Sequence, residues 1–148
     1  MTEPTRQHHA AFTVAGLKVR TTNREENDPA TARIGGLWTR FFGEGVMSLP
    51  HRTGDDRNFG VYSNYESDAH GAFDVTAGVA VSQGGTVDVP AGDYLVFTGT
   101  GEMPGGVLEA WQRAWTYFDA HPEVKRRYQS DFEAYTSPTD VTVWIGVA

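Results

Sequence analysis

The chain has no cysteine, so disulfides, thiol nucleophiles and thiolate metal sites are excluded and the redox compartment stays open. It also lacks any run near the roughly 20 apolar residues that a membrane-spanning helix requires. The opening MTEPTRQHHA has no apolar core and does not read as a secretory leader. Cytoplasmic residence is the default expectation. Basic charge is scarce: 12 Lys and Arg stand against 19 Asp and Glu, a net charge of −7. Nucleic-acid binders usually carry a basic footprint. The basic residues between His51 and Arg57 are offset by Asp55 and Asp56, and no helix-turn-helix pattern is present.

Familiar catalytic spacings are missing as well. The five histidines form no HExxH or i, i+4 pair, which argues against zinc. There is no G-x-S-x-G elbow. TGTGEMPGG, residues 98–106, imitates G-x-G-x-x-G, but Pro104 occupies the third position. No parallel βαβ unit surrounds it, so it reads as a loop at a cleft rim. No cofactor or metal is implied.

Aromatic side chains are what the sequence does have, with four Trp, six Tyr and eight Phe in 148 residues. The length suits one domain with a real core. Residues 1–10 are polar and read as a loose tail. Residues 11–21 read as a strand. Asp28 and Pro29 suit a helix start, and Ile34, Leu37, Trp38 and Phe41 follow at helical spacing until Gly43 and Gly45. Residues 50–56 read as a loop, 58–66 as a strand and 67–71 as a turn. Residues 72–82 alternate, with Phe73, Val75, Ala77, Val79 and Val81 on one face, and read as a half-buried strand.

The pattern then returns. After a connector at 83–90 comes a strand over 92–99. Pro104 opens a helix on which Val107, Leu108, Trp111, Ala114, Trp115 and Phe118 form one apolar stripe, ending at His121-Pro122. SDFEAY, residues 130–135, a turn at 137–140 and the strand VTVWIGVA close the chain. Tyr62-x-x-Tyr65 lines up with Phe132-x-x-Tyr135, and Trp38-x-x-Phe41 with Trp115-x-x-Phe118. The element order therefore predicts an α+β fold, a duplicated βαββ unit with pseudo-two-fold symmetry. Its halves would span about 11–82 and 89–148 of a domain covering 11–148. Helices would cover one side of the antiparallel sheets, with a ligand cleft on the other.

SDFEAY is chemically odd, because strands tend to exclude Asp and Glu. If Phe132 and Ala134 face the helices, Asp131, Glu133 and Tyr135 face away. Trp144 then points to the same side, and a carboxylate flanked by rings suits an organic cation. A solvated Glu on an exposed strand face fits the spacing equally well. Asp131, nearer the strand's start, fits a solvated acid.

The runs YSNYESDAHGAFDVTAGV (62–79) and VPAGDYLVFTGTGEMPGGVLEAWQRAW (89–115), together with SDFEAY, resemble the gyrase-inhibitor-like family. Its members include effector-binding domains of AraC-type regulators and integron-associated stand-alone effector-binding proteins. The resemblance spans roughly residues 11–148. It implies a hydrophobic cleft for bulky amphipathic, aromatic, often cationic molecules, in a regulatory or resistance setting. By that resemblance Glu133 answers the ligand's charge. Tyr135, Trp144, Tyr62, Asn64, Tyr65, Trp38 and Trp111 are the expected lining, with the choice between Tyr62 and Tyr65 open. The expected partner is a small amphipathic or cationic organic molecule, with no direct nucleic acid and no membrane. Two alternatives stand beside binding. One is a hydrolase of reactive ring-containing natural products, with Glu133 as base. The other is a protein-interaction module with an unknown protein partner.

Overall fold

The computed structural model describes residues 4–68 and 70–148. Met1 to Glu3, in the expected tail, and Ala69, in the expected turn, lie outside the described residues. The strands are β1 (Thr5–His9), β2 (Phe12–Thr21), β3 (Asn58–Ser63), β4 (Phe73–Val81), β5 (Val87–Val89), β6 (Gly92–Thr100), β7 (Arg126–Ser137) and β8 (Asp140–Val147). The helices are α1 (Asn23–Glu26), α2 (Ile34–Gly43) and α3 (Gly105–Ala120). A 3-10 turn at Val46–Ser48 follows α2. All strands join one antiparallel sheet in the order β1-β6-β8-β7-β3-β4-β2-β5.

The duplicated α+β architecture is therefore present. Its halves are β2-α2-β3-β4 and β6-α3-β7-β8, and they meet where β3 pairs with β7. The expected loose tail is corrected: Thr5 to His9 form a strand paired with β6. The connector at 83–90 likewise contains β5, which pairs with β2. Each leading strand thus crosses to the edge of the other half. Polar composition could not show this, because such edge strands form through long-range pairing rather than local propensity.

The start of α2 also differs from expectation. Asp28 and Pro29 lie before the helix, in a turn where Asp28 Oδ1 accepts from the Ala30 N–H. The carboxylate of Glu26 satisfies the first free backbone donors instead, accepting from Arg33 N at 2.9 Å and Ile34 N at 3.1 Å. An acid there suits the electropositive helix end.

Helical spacing places Leu37 and Phe41 of α2, and Val107, Ala110, Trp111 and Ala114 of α3, against the sheet. Leu108 is the exception in the expected stripe, because it faces solvent. On the sheet, α2 packs over Val75, Ala77 and Val79, while α3 packs over Val141, Val143 and Ile145. Strand β4 is buried on both faces rather than one. The sheet curls, so its other face closes upon itself. There Phe132 stacks on Trp144 at 5.2 Å, and Phe12 meets Phe59 at 5.0 Å and Phe132 at 5.1 Å. His9 of β1 lies edge-on to Trp144 at 5.1 Å.

The repeat register is corrected too. Tyr62 faces the helices and Phe132 faces the closed side, so the two are not equivalent. The positions that correspond are Tyr62 with Tyr135 and Trp38 with Trp111, which share one sequence separation. Leu37 and Phe41 then match Ala110 and Ala114, all four being buried.

Candidate functional site

Glu133 lies near the middle of β7, directly opposite Gly60 of β3. This pair sits on the local two-fold axis. Tyr62 and Tyr135 flank it, and Trp38 and Trp111 descend from the two helices. Trp38 meets the Tyr135 ring at 5.1 Å and 72°, while Trp111 meets the Tyr62 ring at 5.1 Å and 62°. Both are edge contacts of the kind aromatic rings favour.

The expected direction of Glu133 is corrected. Its cross-strand partner is Val143, on the side covered by α3. Phe132 instead pairs with Trp144. Glu133 therefore faces the helices, and Trp144 is on the opposite side, in the closed aromatic core. The error was one of phase: strand alternation relates neighbours on one strand, but register decides what faces them. The candidate cleft moves with Glu133 to the space between α2 and α3.

The carboxylate is 3% exposed and accepts three hydrogen bonds. Tyr62 Oη and Trp111 Nε1 each donate to Oε2 at 2.7 Å, and Tyr135 Oη donates to Oε1 at 2.8 Å. No Lys, Arg or His pairs with it among the described residues. Burial pushes its pKa above the ordinary 4.5, and the three donors pull against that rise. Burial also raises the Tyr62 and Tyr135 hydroxyls, with the adjacent Glu133 charge adding to it.

Asp131 is not the solvated acid expected from its position. It is fully buried and bonded on every side. Arg126 Nη2 donates at 2.7 Å, Tyr65 Oη at 2.5 Å and the Gly146 backbone N–H at 2.8 Å. Tyr65 thus serves Asp131, and Tyr62 is the tyrosine at Glu133. Asn64 is absent from the site: it adopts a positive φ of 53° and donates to Asp74.

Gly60 is the member that sequence reasoning missed. A Cβ there would lie 2.8 Å from Glu133 Oε1 and 3.1 Å from Trp38 Cζ2. A glycine within an apolar strand often marks such a close approach. Phe42, one turn beyond Trp38, extends the rings outward and is largely exposed. Trp115 stacks on Trp111 at 5.2 Å, and the Arg126 guanidinium lies over the Trp115 ring at 5.2 Å. Among the described residues no cluster of His, Asp or Glu could hold a metal, and no helix is long and apolar enough to cross a membrane.

A duplicated sheet holding one acid among aromatic rings defines the class, a small-molecule-binding domain of the gyrase-inhibitor-like fold. Residues 8–147 match the family described as integron-associated effector binding protein, and the chain belongs to that family. An integron cassette protein from the mobile metagenome of Vibrio cholerae is 37% identical in sequence, with a TM-score of 0.84. The match covers 99% of this chain and 96% of that one. The structure of SAV2435 bound to tetraphenylphosphonium matches with a TM-score of 0.80 at 20% identity. It covers 99% of this chain and 94% of that one, a likeness of fold. A search of the curated proteins finds no match.

Proposed function

We propose that this protein binds amphipathic organic cations between α2 and α3, with Glu133 as charge partner. Tyr62, Tyr135, Trp38 and Trp111 are the ring walls. One contrast carries the reading. Two carboxylates lie buried two residues apart on one strand, and only Asp131 has a cation of its own. An unpaired buried charge is costly to hold, so it is a ready partner for an incoming cation. Ring faces add attraction of about 0.5–2 kcal/mol for a desolvated cation. A neighbour of the same fold is bound to tetraphenylphosphonium, which supports the reading.

The donors around Glu133 refine the ligand class. Both oxygens already accept hydrogen bonds. A quaternary or phosphonium cation has no N–H and needs no lone pair, whereas a primary ammonium competes for them. The site therefore favours permanent onium ions.

Calorimetry with tetraphenylphosphonium and the neutral triphenylphosphine oxide tests the charge role. The expected result is that Glu133→Gln loses about tenfold or more in affinity for the cation, about 1.4 kcal/mol, and little for the neutral compound. Equal losses for both would overturn it. Mass spectrometry of incubated reactive esters and strained rings would reveal turnover if the chain were a hydrolase.

A further inference from the structure

The two halves of the domain diverge beside the Gly60–Glu133 pair. At the sequence separation that relates Tyr62 to Tyr135, Phe42 matches Trp115 and Asn58 matches Asp131. The ladder keeps this match: Asp131 pairs with Tyr62, and Asn58 pairs with Tyr135. The helices keep it too. Phe42 lies 6.2 Å from Trp38 at 33°, as Trp115 lies 5.2 Å from Trp111 at 30°.

The surroundings of the matched groups differ. In the second half a guanidinium joins the acceptor to the outer ring. Arg126 donates to Asp131 at 2.7 Å and lies over Trp115. Tyr65 Oη and the Gly146 N–H complete the donors to Asp131. In the first half Asn58 Oδ1 is buried and has no hydrogen-bond partner. No cationic side chain stacks on Phe42 among the described residues, and Phe42 is 62% exposed. Buried carbonyl oxygens normally have a donor. Here both the acceptor and the ring that Arg126 serves elsewhere are left open.

Asn58 and Gly60 share the helix-facing side of β3, about 6.5 Å apart along the strand. Asn58 is thus a neighbour of the carboxylate opposite Gly60, next to the Tyr135 wall. Building on the reading of Glu133 given above, we infer that Asn58 and Phe42 form a second subsite of the same cleft. It takes an aromatic group that bears a neutral N–H donor, such as an aryl carboxamide or an anilide. The N–H donates to Asn58 Oδ1, and the ring lies against Phe42. Asn58 carries no charge where Asp131 does, so a second cation would be buried without a counter-charge. The ligand class narrows to one onium centre with an N–H group about one aryl ring away.

The test is calorimetry of the full chain with two tetraarylphosphonium ions that differ at one para position. One carries a carboxamide there, and the other a methyl ester of similar size without an N–H. The carboxamide should bind about fivefold tighter. Asn58→Leu removes the acceptor and should equalise the two, while Asn58→Asp keeps an acceptor and should keep the preference. The proposal is overturned if both ions bind the parent equally, or if the preference survives in Asn58→Leu. It is also overturned if the ester is preferred, which would mean that the Asn58 amide turns its nitrogen inward. In each of these cases the reading of Glu133 stands. Binding of neither ion would instead overturn that reading, and this one with it.

Discussion

Gly60 and Glu133 stand opposite one another in the β3–β7 ladder, and the space where a Gly60 side chain would lie is filled by the Glu133 carboxylate and Trp38. Gly60→Ala should therefore displace both groups. Overpacking of this kind costs about 1–3 kcal/mol. Urea denaturation should show that loss, and calorimetry should show weaker tetraphenylphosphonium binding. Unchanged stability and affinity would mean that the carboxylate has room to move elsewhere.

The raised pKa of Glu133 gives stability a direction in pH. Below the ordinary value of 4.5 the group is neutral in both folded and unfolded chains, and it adds no penalty. As pH rises past 4.5 the unfolded chain ionises first, so this group lowers stability until the folded-state pKa is passed. Above that pKa its effect is constant. Glu133→Gln should remove this fall, read as the difference in denaturation free energy between the two proteins from pH 4 to pH 8. Cation affinity should run the opposite way. It should rise through the same window and plateau above it, with proton release on binding.

The two buried acids should respond differently to neutralisation. Asp131→Asn leaves Arg126 buried beside Trp115 and Tyr128 without its counter-charge. Breaking a buried pair in this way costs about 3–5 kcal/mol. Glu133→Gln breaks no pair, and the Tyr135 hydroxyl can turn to accept from the new amide. Its denaturation midpoint at neutral pH should match or exceed that of the parent.

Helix α2 carries Gly35 and Gly36 where an added Cβ would meet nothing within 4 Å. Alanine at both should stabilise the chain by about 0.5–1 kcal/mol each, since glycine is a poor helix former. The carboxylate is sealed in the described state, so a ligand must part the rings that α2 and α3 carry. Stopped-flow Trp fluorescence should then show slower association of tetraphenylphosphonium with the double variant. An unchanged rate would place the opening motion in α3.

Much of the frame was legible from residue order. Alternation in VTVWIGVA correctly put Val141, Val143 and Ile145 opposite Trp144. Apolar spacing located α3, and the glycines after Phe42 marked the end of α2. The face of Glu133 was not legible, because it depends on how β7 registers with β8. A bulge between Arg126 and Asp131 shifts that register. Strands β1 and β5 were invisible for a related reason: their partners lie in the other half of the chain. Strand alternation grouped Glu133 with Tyr135 and Trp144, and the family resemblance added the role of Glu133 and the lining residues Tyr62, Trp38 and Trp111. It also added Asn64 and Tyr65; the structure puts these two, and Trp144, elsewhere.

The near-symmetry of the site has a consequence for its origin and its stoichiometry. Tyrosine answers tyrosine and tryptophan answers tryptophan across the axis, but glutamate answers glycine. Two identical half-chains could not build that centre. They would bring either two acids, forced to share a proton at such close range, or none. In one polypeptide the two matching positions can differ: one carries the acid and the other the glycine that leaves room for it. On the proposed reading, the centre offers one acid, and so one monovalent guest per chain.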